Sequence, residues 1–240
     1  MNLKQCITTG LLLLLCPWFA YTQQATAAQQ PAASAQSTQP AQQTVMPPHT
    51  EKRPLEDRIR SMERAERDSW QKPDEVVKAL QLKNGDVVAD IGAGTGYFAR
   101  RLAKAVAPQG KVYAVDIAAD VLDYMKQRAD KEGLHNITTI VSHEDDPMLP
   151  ENGVDMAFFC DTTHHIANRV NFYRKMSPGV KRHGRLVIID YPPGGQHTPH
   201  PAEMLVPRSQ AISEAEDAGF KFIKDFGILP YHYFLVFEKR

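Results

Sequence analysis

The densest chemical signal in the chain is the run Val87-Val88-Ala89-Asp90-Ile91-Gly92-Ala93-Gly94-Thr95-Gly96-Tyr97-Phe98. Alternate glycines let a chain reverse tightly and let a ligand touch backbone. The amides that open a following helix favour a carboxylate or another anionic group. Asp116 ends the apolar run Lys111-Val112-Tyr113-Ala114-Val115. A carboxylate at a strand tip can accept both hydroxyls of a ribose, although it also serves as an ordinary helix cap. A third acidic stretch, His143-Glu144-Asp145-Asp146-Pro147, reads either as a ligand-facing loop or as a solvated one. A fourth group, Asp161, His164 and His165, follows the apolar run Asp155 to Cys160. Histidine titrates near neutrality, so His164 or His165 suits a general base or a group that orients a substrate, and a structural histidine is the plainer alternative. Asp161 and Asp190 both end apolar runs, but hard cations want several oxygen ligands and only these two are visible, so no metal is expected. His197 and His200 stand in a Pro-rich insert and read as loop residues.

Positioning these groups requires elements in a fixed order. Pro54 to Trp70 carries Leu55, Ile59, Met62 and Ala65 at helical spacing, which predicts an amphipathic helix on the outside of the domain with a solvated charged face. Pro73 opens a second helix with Val76, Val77, Leu80 and Leu82 as its stripe, closed by Asn84-Gly85. Strands are then expected at residues 86–91, 111–117, 137–141, 155–160 and 185–190, with helices at 97–106, 119–131, 169–176 and 210–218. Near-continuous apolar strands alternating with helices predict a doubly wound, Rossmann-like α/β fold, a mostly parallel sheet covered on both faces. Two last strands, 221–226 and 233–238, are separated only by Gly227 to His232. That is too short for a crossover, so they must pair antiparallel. Cys160, inside an apolar strand, reads as a buried core thiol.

Two cofactor classes compete for the glycine run. The dinucleotide fingerprint G-x-G-x-x-G would place its third glycine at position 97, which is Tyr97. The sequence instead reads D-x-G-x-G-x-G from Asp90 to Gly96 without a gap, and this resembles motif I of the class I S-adenosylmethionine-dependent methyltransferases. The strand, polar tip, helix, Pro178-Gly179 turn and strand from Asp155 to Tyr191 likewise resemble motifs IV and V of the small-molecule branch. Here the usual Pro-Gly-Gly is stretched by Val180 to His183, an insertion expected to lengthen a helix or open a loop. The resemblance spans roughly Trp70 to Lys239. It implies that S-adenosylmethionine meets Asp90, Gly92, Ala93, Gly94, Thr95, Gly96, Asp116, Ile117, Glu144 or Asp145, and Asp161. It also implies methyl transfer to a small molecule whose nucleophile (O, N, S or C) stays open. Trp70, Tyr191 and Tyr231 are candidates to line an acceptor pocket. Arsenite methylation, which relies on several cysteines, is disfavoured by a lone Cys160. A nicotinamide-dependent oxidoreductase and an exported binding module without turnover remain the alternative functions.

The whole chain of 240 residues balances 28 Lys+Arg against 28 Asp+Glu, which leaves no electrostatic footprint for nucleic acid or an anionic membrane. Lys4 is the only charge before Glu51, and Ile7 to Tyr21 is an apolar stretch too short for a comfortable span. With Ala25 and Ala27 as an A-x-A site, residues 1–27 read as a secretory signal and the protein as exported to the periplasm, with an uncleaved anchor as the alternative. Residues 28–53, rich in Gln, Ala and Pro, bury too little to offset chain entropy and read as a disordered linker. Residues 54–240 are expected to form the methyltransferase domain.

Overall fold

β-branched and aromatic runs assemble a seven-stranded sheet in the order β3-β2-β1-β4-β5-β7-β6. The strands are β1 (Val87–Ile91), β2 (Lys111–Asp116), β3 (Ile137–Val141), β4 (Val154–Cys160), β5 (Val180–Asp190), β6 (Phe220–Asp225) and β7 (Tyr233–Lys239). This computed structural model describes residues 53–195 and 197–240. The described residues fall within one unit that begins at Thr44. The expected signal, and the linker apart from Arg53, lie outside the described residues. β1 pairs parallel with β2 and β4, and β4 pairs parallel with β5. β7 runs antiparallel to both β5 and β6, as the short connection required. Among the described residues no helix is long and apolar enough to cross a membrane.

The two faces of the sheet are covered by different helices, and strand alternation decides which residues each helix meets. On one face Met156, Phe158 and Cys160 of β4 join α3 (Pro73–Leu80), α4 (Ala99–Val106) and α5 (Ala119–Lys131). On the other, Ala157 and Phe159 pack with α6 (Arg169–Met176) and α7 (Arg208–Asp217). Phe158 and Phe159 are both fully buried, each contributing roughly 1.5–3 kcal/mol from apolar area removed from water. Strand order reverses between β1 and β4, so the carboxyl ends of those strands flank the crevice where such sheets place their ligands.

The structure corrects three expectations. The segment predicted as one helix over Pro54 to Trp70 is two, α1 (Leu55–Met62) and α2 (Arg67–Gln71), and its charged face is solvated only in part: Glu56, Asp57, Arg60, Arg64 and Glu66 are exposed, but Arg58, Glu63 and Arg67 are not. Arg58 is buried and paired with Asp120, while Glu63 bonds Arg100 at 3.3 Å and Arg128 at 2.5 Å. Arg67 lies 3.9 Å from the Tyr97 ring centre, and the Tyr97 hydroxyl donates to Asp68 at 2.5 Å. The amphipathic pattern was real, but its polar side meets charged partners on α4 and α5. Second, α3 stops at Leu80, where Gln81 takes a left-handed conformation (φ 50°), rather than running on to Asn84-Gly85. Third, the inserted Val180 to His183 neither lengthens a helix nor opens a loop but extends β5. Val180 pairs with Val154 and Arg185 with Met156, so the extra residues form a bulge. Lys181 anchors it by donating to both oxygens of Asp155, at 2.8 and 2.9 Å.

Candidate functional site

The loop from Gly92 to Phe98 turns from the end of β1 into α4 with three residues at positive φ: Gly92 (74°), Gly94 (52°) and Gly96 (80°). A Cβ on Gly92 would lie 2.4 Å from Thr162, which follows β4, and one on Gly96 would lie 2.3 Å from Met125 Cγ. Those two glycines therefore allow close packing. At Gly94 a Cβ would meet only the tip of Met62, at 3.0 Å, so this glycine faces the side covered by α1. The Gly94 amide donates to Asp116 Oδ2 at 2.8 Å, joining the tips of β1 and β2.

Two polar groups of the loop are buried without a partner among the described residues: Asp90 Oδ2 and Thr95 Oγ1. A buried polar atom left unpaired costs the folded protein its desolvation energy, so these two atoms beside the glycine turn are open to bonds from a ligand. Burial pushes the Asp90 carboxyl up to about 7; Asp116 adds to the rise, and Arg67 and the Ala99 backbone oppose it. Asp116 is raised too, chiefly by burial and against backbone bonds from Ala118 and Gly94. Ile117, just past Asp116, is 40% exposed, and Val141, which pairs with Asp116 at the end of β3, is 56% exposed. Together they present apolar surface at the same sheet edge. The loop after β3 closes on itself through a His143–Asp146 bridge. In it Glu144 is exposed, and Asp145 is exposed and ion-paired with Lys175 of α6.

The chain belongs to a family known from its sequence. Residues 82–218, more than half of the chain, match the family model described as "Methyltransferase domain". The crystal structure of a SAM-dependent methyltransferase from Aquifex aeolicus is 27% identical, with a TM-score of 0.73 over 79% of this chain and 100% of that one. The chain belongs to the class I S-adenosylmethionine-dependent methyltransferase family. The demethylmenaquinone methyltransferase of Geobacillus stearothermophilus is 26% identical over 121 residues, 50% of this chain and 51% of that protein. The protein-L-isoaspartate O-methyltransferase of Ignicoccus hospitalis is 33% identical over 66 residues, 28% of this chain and 31% of that one. The chain thus spans about half the length, or less, of these curated relatives.

The cofactor implied by this family fits the residues present. Gly94 leaves room that a side chain would take, Asp90 and Thr95 offer unmet polar atoms, and Asp116 stands at the second strand tip. On the other side of the switch point, the chain holds Asp161 in a left-handed conformation (φ 54°). Asp161 Oδ2 pairs with Arg67 at 3.5 Å and Oδ1 accepts from His232 Nε2 at 2.9 Å. His232 is buried, stacks on Trp70 with ring centres 5.6 Å apart, and lies 3.9 Å from Tyr191. Two of the three candidate pocket aromatics, Trp70 and Tyr191, therefore meet around His232, the partner of Asp161, while the Tyr231 ring packs against His197 instead.

Asp161 and Asp190, considered above as a pair, are engaged separately. Asp190 is fully buried, accepts from Thr163 Oγ1 at 2.6 Å and from the His164 and Tyr191 amides, and meets His164 Nδ1 at 2.7 Å. Burial alone would raise its carboxyl, but the bonds from His164, Thr163 and Tyr191 outweigh it and hold it below the ordinary range. His164 is itself fully buried. Cys160 is buried, as expected, and its sulfur accepts from Gln71 Nε2. Sequence reasoning missed Arg67 and His232. A signal for His232 existed: β7 starts beside Asp190, so an antiparallel strand next to β5 must begin at the carboxyl edge.

Proposed function

We propose that the protein transfers the methyl group of S-adenosylmethionine to a small-molecule acceptor seated beside Asp161. The observation that carries this reading is the union of the Asp90–Gly96 loop with Asp116, at the switch point facing Asp161. In this reading Asp116 takes the ribose hydroxyls, and Ile117 with Val141 gives the adenine an apolar platform. Glu144 reaches the base only if its loop turns inward. Bound, the cofactor supplies an electrophilic methyl that needs no further activation. The chain's own residues orient and desolvate. Trp70 and Tyr191 give the acceptor an apolar wall, which excludes water and holds a nucleophile in line. Arg67 and His232 fix Asp161, whose carboxylate takes a hydrogen bond, and at need a proton, from an acceptor hydroxyl, thiol or amine. His232 acts here as a positioning residue. His164 and His165 stand one turn further along, and the burial of His164 shifts the proton-accepting role to Asp161.

The test begins with calorimetric titration of the purified chain with S-adenosylmethionine and, separately, with NAD. A panel of phenols, quinols, thiols and amines then follows, read out as S-adenosylhomocysteine formed. Binding of S-adenosylmethionine and turnover on one acceptor class is the expected result. Tight binding of NAD in its place removes the proposal, and cofactor binding without turnover on any acceptor supports an exported binding module instead. We also infer export to the periplasm, on the apolar Ile7 to Tyr21 stretch and the Ala25 and Ala27 site.

A further inference from the structure

Three imidazoles from two separate segments come together beside Asp190. His164 and His165 belong to the single helical turn Thr163–His165 after β4. His200 comes from the Pro-rich connection between β5 and α7, where sequence alone gave only a loop residue. The ring centres lie 4.1 Å apart for His164 and His165, 4.5 Å for His164 and His200, and 5.1 Å for His165 and His200. One nitrogen from each ring can be chosen so that all lie within 4.8 Å of one another.

The chemistry of His164 gives the cluster its direction. Nδ1 sits 2.7 Å from the Asp190 carboxylate, which also accepts from Thr163 Oγ1 and from the His164 and Tyr191 amides. The carboxylate can only accept, so Nδ1 carries the proton, and the lone pair is left on Nε2. That nitrogen is buried and has no hydrogen-bond partner among the described residues. A carboxylate that fixes the tautomer of an imidazole and raises its basicity is the usual outer partner of a metal-binding histidine.

We propose that His164, His165 and His200 bind one divalent transition-metal ion of the zinc class, with Asp190 orienting His164 from behind. Three neutral nitrogen donors without a carboxylate among them suit zinc and its neighbours and not magnesium or calcium. Zn–N bonds of ~2.0–2.1 Å place tetrahedral nitrogens roughly 3.3 Å apart, so modest ring rotations close the observed spacing onto one ion. Three protein ligands leave a fourth position for water. The ion clasps the connection after β5 to the tip of β4, beside the acceptor wall formed by Tyr191. This replaces the expectation of no metal, which weighed Asp161 with Asp190 and took His197 and His200 as loop residues and not ligands. It does not depend on the methyl-transfer reading.

Titration of the full, tag-free, metal-stripped chain with Zn²⁺ alone tests the proposal by calorimetry. One ion per chain is expected, with slower hydrogen exchange over residues 197–207 when it binds. Co²⁺ alone should give the absorption bands of a four-coordinate site. His200→Ala lies on a surface connection and should keep the far-ultraviolet circular dichroism of the parent while weakening Zn²⁺ at least 100-fold. Asp190→Asn should weaken it roughly 10–100-fold, the range for an outer-sphere partner. His197→Ala, an exposed neighbour in the same connection, should bind as the parent does. Absence of Zn²⁺ binding, undiminished affinity in folded His200→Ala, or loss in His197→Ala would each overturn the site. Preference for Mg²⁺ over Zn²⁺ would do the same.

Discussion

Gly94 and Asp90 show how single residues shape this site in different ways. Gly94→Ala would place a methyl group on the face toward Met62, at a φ that costs an L-residue about 1–2 kcal/mol. The fold should survive, because the only near contact is a flexible side-chain tip, while affinity for S-adenosylmethionine should fall by at least tenfold. Calorimetry on the folded variant checks this, and unchanged affinity would remove Gly94 from the cofactor site. Asp90 carries a testable pH signature. Its carboxyl titrates near 4 in the unfolded chain and about 7 in the cofactor-free fold. The native state therefore keeps a proton that the unfolded state gives up. Its contribution to stability is present below pH 4 and is lost as pH rises to 7, at no more than roughly 1.4 kcal/mol per pH unit. Asp90→Asn should flatten melting temperature against pH across that window, and parallel curves for parent and variant would contradict the assignment. Asp161→Ala should lower turnover by roughly 10²–10⁴-fold on an acceptor that loses a proton, the range for a positioned base. In a folded variant with full turnover, Asp161 would have no such role.

At the scale of elements, α1 and α2 are held over the glycine loop by charge and by aromatic contact more than by apolar burial. Glu63 bridges to Arg100 on α4 and Arg128 on α5, and its side chain is only 16% exposed. Glu63→Ala leaves the nearly buried Arg100 guanidinium with Glu132 and the Gly96 carbonyl, and should cost about 1–3 kcal/mol. The loss should be local. Hydrogen exchange over residues 55–71 should accelerate while the central strands β1 and β4 keep their protection. Uniform acceleration across the sheet would mean that α1 is part of the cooperative core and not a cover. Sequence periodicity located this helical segment within a few residues but read its two helices as one. It misjudged their charged face because periodicity reports which side is apolar, not whether the polar side finds partners. The same limit applies to the insertion at Val180 to His183. Local propensity cannot distinguish a loop from a bulged strand, and Asp155, which receives Lys181, is 26 residues away.

For the molecule as a whole, the export reading predicts a mature chain that starts near Ala28. Intact-mass measurement of protein recovered from the envelope of the producing cell checks it, and full-length protein found only in the cytosol would reverse it. The sequence by itself determined the fold class, the terminal antiparallel pair and the glycine-rich turn after the first strand. These depend on local facts: the strand period, a six-residue connection, and glycines spaced where a turn needs positive φ. It also identified Asp116 and Asp161 as strand-tip carboxylates, because position at a strand end follows from the strand itself. What each tip touches was decided only by the tertiary structure. Arg67 reaches Asp161 across 94 residues, His232 reaches it across 71, and Asp190 meets His164 across 26. His200 joins His164 and His165 from a connection whose path no local rule sets. Chain direction and period fix where a residue stands along its own element, but which side chains share one desolvated space depends on how the sheet and its connections pack together.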